Sequence, residues 1–150
     1  MSVVRLPALL LVTALLALAV HAADTAKVGA GRTALAQKNR IVIQVNDENS
    51  KYWNAVLGNI RNIQTELGAR NVSIAVIAIG PGLGMITADS LTATGVQDAI
   101  ISGVEFVACG NSMKAQQVAK DDLVDGVTIA TAGYVELMKR QQQGWGYLRP

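Results

Sequence analysis

Cys109 is the one cysteine of the chain. It follows a β-branched and aromatic run, Val104–Ala108, and precedes Gly110-Asn111-Ser112, which lead into a helical pattern. In an open α/β sheet, ligands bind beyond the carboxyl ends of the strands. A thiol at such an end, beside the amides and dipole of a helix N-terminus, is biased toward the thiolate, its nucleophilic form. Gly110 lets an anionic or sulfur-bearing ligand approach the backbone closely. This reading requires a sulfur that is reachable from solvent and ionised near neutral pH. Two others compete with it. Free cysteine is among the most buried residue types, so Cys109 also fits an inert small hydrophobe. A Cys109–Cys109 disulfide between subunits is the third, disfavoured because a thiol deep in a strand-end pocket rarely meets its symmetry mate.

The loop Gly80-Pro81-Gly82-Leu83-Gly84 invites a phosphate-binding reading. Its spacing is G-x-G-x-G, without the third glycine of a dinucleotide fingerprint and without the Gly-Lys-Ser/Thr of a Walker loop. A tight turn closing over the neighbouring strand end is the better reading, with Gly80, Pro81 and Gly82 as pocket wall. Asp47, Glu48 and Asp89 read as solvated turn and cap residues. Asp121, Asp122 and Asp125 lack the spacing and terminal Glu of a calcium loop and read as a turn. Trp53, Trp145 and Tyr147 fit core and sheet-edge packing. Trp145 and Tyr147 equally suit an interface between subunits, where aromatics are enriched.

Alternating strands and helices must position these residues. Ile41–Val45 reads as a strand ended by the turn Asn46–Asn49. Trp53, Val56, Leu57, Ile60, Ile63 and Leu67 then recur at spacings of three and four before Gly68, which predicts a helix with one buried stripe and a glycine cap. Val72–Ile79 is apolar on both alternating faces, as in a central strand covered on two sides. Met85–Thr94 has no clear period. Val96–Ser102 reads as a short helix closed by Gly103, Val104–Ala108 as a third strand, Ser112–Ala119 as a helix, and Val127–Ala130 as a fourth strand. Tyr134–Gln141 reads as a last helix ended by Gly144, and Trp145–Leu148 as a fifth, edge strand. This order predicts a mostly parallel α/β sheet of about five strands.

The chain has 150 residues, 13 basic and 11 acidic side chains and a formal net charge of +2. An apolar share of 51% excludes disorder of the whole chain. Scattered, nearly balanced charge excludes a nucleic-acid surface. Met1–Ala22 reads as a secretory signal: Arg5 supplies the positive start, Ala8–Val20 the apolar run, and Val20-His21-Ala22 the small-residue exit before Ala23. Residues 23–39 read as a flexible leader and 40–150 as a single domain. Cleavage after Ala22 would remove the only histidine, leaving 128 residues with net charge +1. The mature chain then has no Ser-His-Asp or Cys-His pair and no plausible zinc site, so neither metal nor cofactor is expected.

The stretches Ile77–Ile86 (IAIGPGLGMI), Val104–Val118 (VEFVACGNSMKAQQV) and Gly133–Pro150 (GYVELMKRQQQGWGYLRP) resemble the DsrE/DsrF-like family of sulfur-relay proteins, especially its exported, intracellular sulfur oxidation members. The resemblance spans about Arg40–Pro150 and departs from many relatives at Ile79, where they carry a histidine. It implies a flavodoxin-like three-layer α/β/α sandwich, homo-oligomers (trimers or hexamers), and a cysteine at the position of Cys109 that carries persulfide sulfur. The expectation is a periplasmic or secreted sulfur carrier. Cys109 accepts sulfur from a donor protein or small sulfane species. The amides of Gly110, Asn111 and Ser112 hold the anion, and Gly80, Pro81 and Gly82 shape the pocket. The alternative is a non-catalytic ligand- or partner-binding module with a structural Cys109.

Overall fold

The computed structural model of the chain describes residues 39–150. The signal-like segment Met1–Ala22 and the leader up to Lys38 lie outside the described residues. Five strands form one all-parallel sheet: β1 Asn39–Val45, β2 Val72–Ala78, β3 Glu105–Cys109, β4 Thr128–Ala130 and β5 Gly146–Leu148, in the order β4-β3-β2-β1-β5. Four helices connect them: α1 Ser50–Leu67, α2 Ala93–Ile101, α3 Gly110–Gln116 and α4 Gly133–Gln142. Asn39 and Arg40, at the expected leader boundary, belong to β1.

Strand residues alternate between two cores. Ile43, Val45, Ile74, Val76, Phe106 and Ala108 face α1 and α2. Val42, Ala75, Ile77, Val107 and Cys109 face Leu137 of α4. Each fully buried Val, Ile or Phe contributes about 1.5–3 kcal/mol relative to exposure. The chain steps from β1 to β4 in one direction and then returns across the sheet to β5 through α4, which packs over β1, β2, β3 and β5. Right-handed crossovers demand this division, because reversing direction sends the connection to the opposite face. The connections from the adjacent strands β3 and β4 therefore diverge to opposite sides. Their carboxyl ends are the topological switch point of the sheet, and Cys109 pairs there with Ala130.

Helix α1 starts where the polar turn foretells. Asn49 caps it by accepting the Lys51 amide at 2.9 Å, and Asp47 accepts the Asn49 amide at 2.8 Å. Trp53, Val56, Leu57 and Ile60 are buried, while Leu67 at the far end is exposed. Gly68 closes the helix with φ +82°.

Two segments differ from the sequence reading. The glycine turn is a 3-10 segment, Gly80–Ile86, that runs into the aperiodic stretch Met85–Thr94, and α2 begins at Ala93, three residues earlier than expected. A short polar chain organises it: Thr92 Oγ1 donates to the buried Met85 carbonyl at 2.9 Å and meets Ser90 Oγ at 2.9 Å. Helix α3 starts at Gly110, not Ser112, because Cys109 itself is the N-cap, and it ends at Gln117, whose φ is +59°.

Candidate functional site

Cys109 is both the last residue of β3 and the cap residue of α3. Its side chain turns toward the α4 face and joins the apolar cluster that also holds Ile77, Ile79, Val107 and Leu137. Only 4% of the residue is exposed. The wet sulfur that the sequence reading requires is thus absent from this conformation. The cause is α4, which closes over the strand end from the far side.

The sulfur nonetheless has a backbone donor. Gly133 N–H, at the start of α4, donates to Cys109 Sγ at 3.2 Å. Burial alone pushes the thiol upward, but the Gly133 amide together with the polar groups of Ser112 and Asn111 outweighs it and holds the Cys109 pKa below the ordinary thiol value. The starts of two helices, α3 and α4, converge on one sulfur, and both dipoles favour the anion.

The residues read from sequence as a pocket take different parts. Ser112 is buried and accepts the Gly80 amide at 2.8 Å, joining the glycine turn to α3. Asn111 also donates its amide to Thr131 O at 3.1 Å, which ties α3 to the end of β4. Gly110 lies against the backbone there, where an added Cβ would meet Ala130 O at 3.3 Å. Gly80 has φ +54° with open space around it, so its need for glycine is conformational. Pro81 is exposed on the outside of the turn. Gly82 is buried against the end of β1, where a Cβ would lie 2.2 Å from Val45 O. The turn thus closes over the strand ends, packed on β1 and bonded to α3.

Sequence reasoning missed Gly133 and Thr131. Their signal was visible, a glycine opening a helix directly after a strand. Assigning it to Cys109 needed the knowledge that β4 lies beside β3. The carboxylates stand apart from the sulfur. Asp122 accepts the Ala119 amide at 2.8 Å in its own turn, and among the described residues no three His, Cys, Asp or Glu side chains gather as metal ligands. A groove of about 530 Å³ runs between β4 and α4, lined by Val107, Thr128, Ala130, Val135 and Lys139, and its rim includes Thr131 and Ala132. Cys109 is not in its wall. Trp53 is core, with its indole N–H on Asp47 O at 2.7 Å. Trp145 stacks under Arg140 at 4.6 Å, and Tyr147 donates to Gln44 Oε1 at 2.6 Å across the β1/β5 edge.

Several solved structures share this architecture. A protein of unknown function, MTH1491 from Methanobacterium thermoautotrophicum, is 30% identical, with a TM-score of 0.72 over 75% of this chain and 99% of its own. The conserved protein of unknown function BT1422 from Bacteroides thetaiotaomicron is 17% identical, with a TM-score of 0.60 over 75% and 95%. The ychN protein from E. coli is 12% identical, with a TM-score of 0.63 over 76% and 100%. The last two show the fold alone. Among curated proteins none matches the chain. The DsrE/DsrF-like family profile matches residues 41–150, the whole sheet and all four helices except the first two residues of β1. The chain belongs to the DsrE/DsrF-like family.

Proposed function

We propose that the protein is a sulfur carrier in which Cys109 accepts sulfane sulfur and passes it to an external thiol. Family membership supports a sulfur-relay type of function in general. The single observation that carries the finer reading is the Gly133 amide donating to Cys109 Sγ at 3.2 Å, at the switch point of the sheet. In the loading step the Cys109 thiolate attacks the outer sulfur of a donor persulfide. The donor S–S bond breaks, a new S–S bond forms on Cys109, and the donor leaves as a thiol. An acceptor thiolate then takes the outer sulfur in the same way and returns Cys109 to its starting state. Neither step has a net oxidant or reductant. The anionic persulfide stays within reach of the donors that held the thiolate. Access requires the start of α4 to move, because the sulfur is covered at rest.

Export belongs to this proposal, with Met1–Ala22 removed and the carrier working in the periplasm or outside the cell. So does assembly into homo-oligomers, for which the exposed Tyr134, Val135 and Met138 on α4 supply apolar surface. The test is intact mass after incubation with a polysulfide donor. A gain of about 32 Da, one sulfur atom, that Cys109→Ser abolishes supports the carrier. A Cys109 that alkylates in the native state yet never gains this mass removes it. The burial of Cys109 favours the second reading, a binding module with a structural cysteine. That reading requires native Cys109 to resist alkylation and Cys109→Ala to keep its binding partner.

A further inference from the structure

The groove between β4 and α4 stops one step short of the sulfur. Val107 stands in its wall, and Cys109 follows two residues later on the same strand face, about 6.6 Å further along. Thr131 and Ala132 line the end nearest the sulfur, directly before Gly133, whose amide donates to it. Four consecutive residues, Thr128–Thr131, belong to the wall. Successive strand residues point to opposite faces, so a cavity that touches Thr128, Ile129 and Ala130 alike runs along the backbone edge of the strand. That edge is open, since β4 pairs with β3 alone and ends the sheet. An open edge presents N–H and C=O groups, which an extended peptide can pair with. Across the groove, Glu105 and Glu136 are both held by Arg140, whereas the exposed Lys139 has no ion pair among the described residues. Tyr134 and Met138, the larger part of the apolar surface on α4, lie outside the wall.

Resting on the sulfur-carrier reading above, we propose that this groove binds the acceptor, and that the acceptor is a short peptide thiol with a free carboxylate. Its backbone lies antiparallel to β4 on the open edge, its carboxylate meets Lys139, and its cysteine sits at the Ala132 end. Lys139 is six residues along α4 from Gly133, about 9 Å. An extended peptide covers about 3.3 Å per residue, so about three residues span from thiol to carboxylate. The groove volume of about 530 Å³ suits such a ligand, for small-molecule sites run from about 300 to 1,000 Å³. When the start of α4 moves, the peptide thiolate attacks the outer sulfur of the Cys109 persulfide. That S–S bond breaks, a new one forms on the peptide, and Cys109 is released as the thiolate, with no net oxidant or reductant.

The probes are the tripeptide N-acetyl-Cys-Gly-Gly and its C-terminal amide. Binding is read from NMR amide shifts in the full protein carrying Cys109→Ser, which cannot exchange sulfur. Saturable shifts at Thr128–Thr131 and the start of α4 are expected for the acid. The amide probe should bind about ten-fold more weakly, and so should the acid to a chain that also carries Lys139→Glu, while Lys139→Arg keeps the affinity. Lys139 is exposed, so neither change threatens the fold. No saturable shift at millimolar probe overturns the proposal, and so does equal binding of acid and amide or an affinity that ignores Lys139→Glu. Sulfur transfer in the wild type separates the two readings. A groove that binds the acid in a protein that never takes up sulfur stands, and the carrier reading falls. A loaded Cys109 that discharges to both probes at one unsaturable rate keeps the carrier and removes the groove.

Discussion

Gly133 N–H points at Cys109 Sγ from 3.2 Å, and the glycine at that position is obligatory for packing. A Cβ on Gly133 would lie 2.7 Å from Ile79 Cγ1 and 3.1 Å from Cys109 Cβ. The contact that favours the charged sulfur thus lies where the start of α4 packs tightly on Ile79 and Cys109.

Gly133→Ala is expected to destabilise the fold by about 1–3 kcal/mol, the usual range for overpacking. Moving the amide away from the sulfur should also raise the Cys109 alkylation midpoint. Because the clash is with Ile79, adding Ile79→Ala should recover part of the loss, a coupling that neighbouring sites show and distant ones do not. Urea unfolding of the two single variants and the double variant checks this.

The lowered Cys109 pKa fixes the sign of a pH effect on stability. A thiol that ionises more readily when folded stabilises the fold fully above the ordinary thiol pKa, and that contribution is lost as pH falls through the folded value. The stability difference between wild type and Cys109→Ala should therefore shift in favour of wild type as pH rises across this window. Denaturant midpoints at a series of pH values measure it. A difference that does not vary with pH would contradict a thiolate favoured by the fold.

The two glycines of the turn should fail for different reasons. Gly82→Ala drives a methyl into the Val45 carbonyl, which as strand backbone cannot step aside, and is expected to cost about 3 kcal/mol or more. Gly80→Ala has open space and pays only for its left-handed φ of +54°, about 1–2 kcal/mol. Thermal melts should rank the variants in that order.

Arg140 fastens α4 to the sheet. Its Nη2 meets Glu105 and its Nε meets Glu136, each at 2.7 Å, while the guanidinium lies over Trp145. Burial tends to lower its pKa, but the bonds to Glu105 and Glu136 outweigh that and raise it, so the charge is secure. Lysine cannot hold two carboxylates and stack at once. Arg140→Lys is expected to lose about 1–2 kcal/mol of stability, most visibly at low salt, in urea titrations.

The alternation of strands and helices was legible because periodicity is a local signal. Val72–Ile79, apolar on both faces, announced a central strand, and β2 lies between β1 and β3. The edge position of Trp145–Leu148 was legible in the same way, in β5. The helix start at Gly110 was not, because a cysteine cap depends on backbone geometry that carries no composition signal. The site was half legible. Cys109 and Ser112 stand three residues apart, so their proximity follows from one helical turn. The contacts to Gly133 and Thr131 cross from β3 to β4, and only the sheet order supplies them. The burial of the sulfur was hidden for the same reason, since α4 reaches Cys109 from a distant part of the chain.

The pairing of β1 with β5 joins Gln44 and Tyr147, residues 103 apart in the chain. During synthesis β1 therefore waits with one flank bare until β5 arrives. Until then the open flank of β1 is a row of unpaired backbone groups, so pairing with β5 is what closes the sheet on that side.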